Sequence, residues 1–184
     1  MDVDDKLIDA ARALVEKANK LVDESLPRKL AEIVKQHSFA GVAAAWVPVP
    51  GLDIAASVAA IWGMYYRIND ELQLPFTENV TKSVASGVAT NLAAYAGVAG
   101  VSSLLKAIPG VGTIAGAVVM SAAVYALTLA SGYIYMKVLT VVLSEKGPLN
   151  ITEQDFKRAV AKVMADVNGI ASFFEGAKKS YKRK

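Results

Sequence analysis

The apolar and polar positions of this chain mark out a greasy centre between two amphipathic flanks. Leu7, Ala11, Leu14, Ala18 and Leu21 step by four and three, which lays one apolar stripe along a charged helix of about five turns. Pro27 suits the first turn of a second, short helix carrying Leu30, Ile33 and Val34. At the other end Thr152 and Asp155 have the spacing of a capping box. Behind them Phe156, Val160, Val163, Val167, Ile170, Phe174 and Ala177 again step by four and three. Gly169 lies inside that stripe and weakens the helix by about 1 kcal/mol relative to alanine. No stretch shows the period-two alternation of a half-buried strand, so the predicted fold class is all-α. The two end stripes are expected to pack on each other or on copies of themselves.

The centre carries an internal repeat. At an offset of 59 residues Pro50 matches Pro109, Gly51 matches Gly110, Ala56 matches Ala115 and Tyr66 matches Tyr125. Proline disfavours helix in the residue before it, and glycine accepts a left-handed backbone, so each unit reads as helix, Pro-Gly turn, helix. The expectation is two hydrophobic helical hairpins over residues 38–143, with amphipathic segments at 1–37 and 144–184. Gly97 and Gly100 lie about one turn apart, and Gly112 with Gly116 has the GxxxG spacing, so all four are candidates for close helix packing.

A bilayer span needs about 20 apolar residues, roughly 30 Å. Val84 to Leu105 and Val111 to Met136 are long enough, and Tyr133, Tyr135 and Lys137 stand where an interfacial belt would. The first hairpin spans poorly: Phe39 to Val47 makes about 14 Å of helix and Leu52 to Tyr66 about 22 Å. That pair suits a dip into one leaflet or burial within protein.

Charge sharpens the division. Only 20% of residues are charged, against about a quarter in ordinary soluble domains, and between Phe39 and Tyr66 Asp53 alone is ionised at neutral pH. Lys178, Lys179, Lys182, Arg183 and Lys184 crowd the last seven residues. They read either as a solvated end or as a contact for anionic lipid or nucleic-acid phosphate. The opening MDVDDKLIDA is acidic and lacks the basic start and apolar core of a signal peptide. Insertion is therefore expected from the inner, cytoplasmic side.

Chemistry is sparse. With no cysteine and one histidine, His37, neither thiolate nor histidine-cluster metal sites are available, and His37 reads as a helix-end or interface residue. GVGTIAG has glycines but lacks the lysine and hydroxyl of a phosphate-binding loop, and no strand precedes it. Asp53 reads as a helix cap or first-turn charge, with a buried acid as the alternative. Trp46, Trp62, Tyr65 and Tyr66 read as interfacial or core aromatics, with ligand stacking as the alternative. No enzyme, no cofactor, no metal and no nucleic-acid partner is expected.

AWVPVPGLDIAASVAAIWGMYYRI and LLKAIPGVGTIAGAVVMSAAVYALTLASGYIYMKVL together resemble a bacterial domain-of-unknown-function family. That family follows Era-like GTPase domains and also occurs in YcjF-type inner-membrane proteins. The resemblance runs from about Ala40 to Leu139, and the Pro50–Ala55 and Ile108–Thr113 turns carry most of it. It implies an all-helical, membrane-associated module that accompanies a GTPase, here supplied separately because no nucleotide-binding motif is present. The functional expectation is a membrane-associated, self-associating accessory module on the cytoplasmic side of a bacterial inner membrane. A pore-forming protein is one alternative. A cytoplasmic helical scaffold with its hairpins buried in an oligomer is the other.

Overall fold

The computed structural model describes residues 3–45, 52–76, 81, 84, 87, 114–148 and 151–165. Among these all regular structure is helical: α1 (Val3–Ser25), α2 (Arg28–Ala45), α3 (Leu52–Glu71), α4 (Ile114–Lys146) and α5 (Glu153–Ala165). Pro50, Gly51, Pro109 and Gly110 lie outside the described residues, and so do the turns of the repeat. The compositional boundaries at 37/38 and 143/144 fall inside α2 and α4.

Helix α4 is the axis of the bundle. Its 33 residues make about 50 Å of helix and carry apolar side chains all the way round, the pattern of a helix enclosed by protein. The other four helices all pack on it. Its stretch from Ala117 to Lys146 is long and apolar enough to cross a bilayer. In this fold, however, its apolar surface goes largely to neighbouring helices. Ala126, Leu129, Ala130, Ile134, Tyr135 and Val138 are fully buried. The interfacial belt expected at Tyr133 and Tyr135 is therefore overturned: both rings are interior, and only Lys137 is exposed, its ammonium 5.3 Å from the Tyr133 ring centroid.

The outer surface of α1 is charged. Ala11, Leu14, Ala18 and Val22 are buried against α4, while Asp5, Asp9, Arg12, Glu16 and Lys20 are exposed. Such a face would cost several kcal/mol per charge in hydrocarbon on insertion scales. α1 and α5 both seat their stripes on α4, so the pairing expected between the end stripes is replaced by a shared partner. Ion pairs between elements lie on this outer surface: Lys35 with Asp23 at 2.5 Å, Lys29 with Glu71 at 2.7 Å and Lys162 with Glu145 at 2.8 Å.

Helix ends follow the local sequence. Pro27 precedes α2, and its carbonyl accepts the Ala31 N–H at 2.9 Å. α2 is longer than the short helix expected, because Phe39 to Ala45, assigned above to the first hairpin, continue it without a break. It packs against α3, so the two form the helical arms on either side of residues 46–51. At the end of α4, Gly147 takes a left-handed backbone (φ 70°) and donates to the Leu143 carbonyl, a glycine stop followed directly by Pro148. Thr152 caps α5 as expected: its N–H donates to Asp155 Oδ2 at 2.9 Å, and Asp155 N–H returns a bond to Thr152 Oγ1 at 3.3 Å.

Candidate functional site

Ala11, Val15 and Leu14 share one side of α1, so the stripe that reaches α4 also forms one wall of a depression beside it. α2 supplies the opposite wall with Phe39 and Val42, and α4 the floor with Val118, Ala122 and Tyr125. The groove holds about 490 Å³ and is overwhelmingly apolar. Its polar rim is Arg12, Glu16 and Asn19 from α1, with Ser121 from α4. The Tyr125 hydroxyl donates to Asn19 Oδ1 at 2.9 Å, and its ring meets Phe39 at 4.9 Å, tilted by 56°. Phe39 nevertheless remains 65% exposed. A phenyl ring left so open beside an apolar groove marks a contact surface.

Nothing in the groove resembles a catalytic constellation. Arg12 and Glu16 are charged but exposed, and the hydroxyl of Tyr125 is held as a donor, its pKa raised chiefly by burial. What the groove offers is shape and apolar area, the requirements of a binding surface.

A second feature lies deeper. Tyr65 of α3 stacks on Tyr135 of α4, ring centroids 3.9 Å apart and 6° from parallel. The Tyr65 hydroxyl lies 2.6 Å from Ser131 Oγ, and the Tyr135 hydroxyl donates to Asn69 Oδ1 at 2.6 Å. Asn69 Nδ2 in turn donates to Thr81 Oγ1 at 3.2 Å. All five side chains are buried. Burial pushes both tyrosine hydroxyls well above their ordinary range, so they stay protonated and serve as hydrogen-bond donors. This network fixes how α3 and residue 81 seat on α4, and reads as structural. Tyr65, a candidate stacking residue, is enclosed here; Tyr66 next to it is 59% exposed. Trp62 is half-buried and Trp46 lies outside the described residues.

Asp53 is the second residue of α3 and Gly116 the third of α4. Gly97, Gly100, Gly112, Lys178, Lys179, Lys182, Arg183 and Lys184 lie outside the described residues. His37 lies inside α2, half-buried, with Nδ1 3.0 Å from the Ile33 carbonyl and its ring beside Gly63 of α3, an interface position rather than a helix end.

A close helix approach involves a glycine that the spacing arguments passed over. A Cβ on Gly132 of α4 would lie 2.7 Å from both methyls of Val34 and 3.0 Å from Met64 Sδ. Four residues away on the same face, Thr128 Oγ1 would stand 3.3 Å from a Cβ on Gly41 of α2. The signal was available: Thr128 and Gly132 have small-residue spacing, and Gly41 follows Ser38 on α2.

Comparison with known proteins extends the resemblance read from the sequence. The model of a family described as a domain of unknown function, DUF697, matches residues 10–148, which takes in most of α1 and everything to the end of α4. Over 106 residues the chain is 39% identical to Magnetosome membrane protein 22 of Magnetospirillum gryphiswaldense, a stretch covering 57% of this chain and 54% of that protein. The chain thus matches about half the length of this curated relative. No solved structure matches. With the family model covering well over half of its residues, the chain belongs to the DUF697 family.

Proposed function

We propose that this chain is a non-enzymatic, membrane-associated accessory module that self-associates and works beside a GTPase on the cytoplasmic face of a bacterial inner membrane. The observation that carries the membrane part is the 39% identity to a protein named as a magnetosome membrane protein. The GTPase rests on the family resemblance.

α4 is enclosed by helices with charged outer surfaces, so the membrane-contacting part is assigned to the other long apolar stretch. From Val88 to Thr113 the sole charged residue is Lys106. Both sides of that stretch are tied to one helical body: Val84 is buried in the core, and Ile114 opens α4. A segment tethered in this way enters and leaves a bilayer on the same face. Two full crossings would need about 40 residues, more than this stretch holds, which favours a dip with the Pro109–Gly110 turn as part of it. In the same reading Pro50–Gly51 closes the first hairpin between α2 and α3, and the basic tail, Lys178 to Lys184, contacts anionic headgroups.

Flotation with anionic liposomes followed by carbonate extraction tests the reading. The full chain is expected to float and to resist carbonate, and lysine at Ala96 and Val98 together to abolish both. Each lysine costs about 2.5–3.5 kcal/mol if its position enters hydrocarbon. Complete release by carbonate would replace the reading with the helical scaffold, and dye release from the liposomes with the pore.

A further inference from the structure

α5 lies antiparallel to the C-terminal half of α4. Asp155 meets Lys146 at 3.8 Å, Lys162 meets Glu145 at 2.8 Å, and Val163 shares a depression with Lys137 and Val141. The line of α5 beyond Ala165 therefore points toward the start of α4. Val167, Ile170, Phe174 and Ala177 continue, in the same register, the stripe that buries Phe156, Val160 and Val163. Helical geometry says which side of the bundle that line meets. At about 100° per residue, the positions run round α4 from Ser131 and Tyr135, which face α3, to Thr128 and Gly132, which face α2. Next come Val118 and Ala122 at the groove, and then Lys137 and Val141 beside α5. The groove lies between α1 and α2, so the line of α5 passes along the other side of α1.

That side of α1 carries a second depression. It holds about 380 Å³, with Ala13, Lys17 and Leu21 half-buried along its floor and Glu16, Lys20 and Glu24 exposed around them. A helix is convex, so a depression along one needs a second wall, and no other described element lines it. The stretch at Thr81 approaches from elsewhere, since Thr81 Oγ1 accepts a hydrogen bond from Asn69 on α3. The length also fits. Val163 to Ala177 makes about 21 Å of helix, and Lys137–Val141 lie about 18–24 Å along α4 from Tyr125. Tyr125 is bonded to Asn19, so Ala177 reaches the level of Asn19 and Phe174 that of Leu21.

We propose that residues 166–177 continue α5 across Ala13, Lys17 and Leu21, and so bring Lys178 to Lys184 to the end of the bundle where α4 begins. The stretch assigned above to the membrane joins α4 at that same end, through Thr113 and Ile114. The basic tail and the membrane-contacting stretch then face one surface together, as headgroup contact requires. That last link rests on the membrane reading above; the docking does not.

The test uses the full chain in dilute solution without lipid. The chain contains no cysteine, so spin labels go only where they are placed. Double electron–electron resonance on Ser180→Cys/Val118→Cys and Ser180→Cys/Ser144→Cys chains gives two distances. Val118 and Ser144 are exposed positions about 39 Å apart along α4. The tail is expected nearer Val118 than Ser144 by about 15 Å or more. Oxidation of a Leu21→Cys/Phe174→Cys chain should close an intrachain disulfide, whereas a Phe39→Cys/Phe174→Cys chain, which reports on the groove side, should stay reduced. Thermal unfolding checks each variant; if Leu21→Cys lowers the midpoint, Lys17→Cys with Ala177→Cys repeats the test at an already polar position. A tail nearer Ser144, a tail spread evenly between the two ends, a disulfide to position 39, or none to α1 would each overturn the docking. Flotation of the wild-type chain would leave the membrane reading standing in every one of those cases.

Discussion

Gly132→Ala tests the glycine with the least room for a side chain among those described. At an open helical position this change stabilises, since alanine is favoured over glycine by about 1 kcal/mol. Here the new methyl would sit 2.7 Å from Val34 Cγ1 and Cγ2 and 3.0 Å from Met64 Sδ. Val34 is fully buried, and a β-branched side chain in a helix has essentially one χ1 rotamer, so it has no way to turn aside. Met64 is flexible but equally buried. The strain must then be relieved by separating α2 and α3 from α4, and overpacking of this kind costs about 1–3 kcal/mol, occasionally more. Set against the propensity gain, a net loss of up to about 2 kcal/mol is expected. For a domain of this size that lowers the thermal midpoint by up to about 8 °C. Circular dichroism during denaturant and thermal unfolding reads it. The partner change, Val34→Ala, should recover part of the loss in the Gly132→Ala background, giving a coupling of about 1 kcal/mol in the double-mutant cycle. A Gly132→Ala chain more stable than wild type, with no coupling to Val34, would refute the close approach.

The polar interior and the α5 cap make further predictions. Asn69→Ala leaves the buried Tyr135 hydroxyl without its acceptor, and the expected cost is about 1–3 kcal/mol in chemical denaturation. Asn69→Asp tests the same point differently, since an introduced carboxylate would have to accept from Tyr135 while buried and so should raise its own pKa, visible in an NMR titration. The Thr152 hydroxyl and N–H, followed by Arg158 and Lys146, hold the Asp155 carboxyl at a pKa of about 2, below its ordinary 3.8. A depressed folded-state pKa gives stability that is present above about pH 4 and lost as pH falls toward 2. Asp155→Asn should flatten stability over that window, and an unchanged acid limb would contradict the cap.

Much of the architecture was legible because helical periodicity survives in any packing. Ala11, Leu14 and Ala18 of the α1 stripe, Phe156, Val160 and Val163 of the α5 stripe and the Thr152–Asp155 cap depend on local spacing and appear where the sequence puts them, while Val167, Ile170, Phe174 and Ala177 lie outside the described residues. What the sequence could not supply was the partner of each stripe. Nothing in Leu14 or Val160 says that both face α4 rather than each other. α4 itself illustrates the ambiguity: a thirty-residue, mostly apolar stretch describes a bilayer span and a bundle axis equally well, and what the sequence does not show is that neighbouring helices take most of its surface. Tyr133 and Tyr135 look like a membrane belt by position, yet Asn69 on another helix turns one of them into an interior donor. Close-packing glycines were sought by the glycine-to-glycine spacing at Gly112 and Gly116. The Gly132 contact instead sets one glycine, four residues from Thr128, against Val34 on another helix; the small-residue spacing was there to be read, but nothing in it names the valine. The groove was invisible for the same reason, since its walls come from three helices far apart in the chain.

The claim at the centre of this account is that α4 forms the interior of a water-facing bundle, while Val88 to Thr113 meets the membrane. The absence of cysteine allows single labelling sites to be placed at will. The direct measurement is the fluorescence of a polarity-sensitive probe on Ala96→Cys, Thr140→Cys and Lys20→Cys chains bound to vesicles containing lipids brominated along their acyl chains. Thr140 and Lys20 mark the exposed surfaces of α4 and α1. The account predicts strong quenching at 96 and none beyond the aqueous background at 140 and 20. Quenching at 140 with none at 96 would make α4 the membrane-contacting helix and contradict the account.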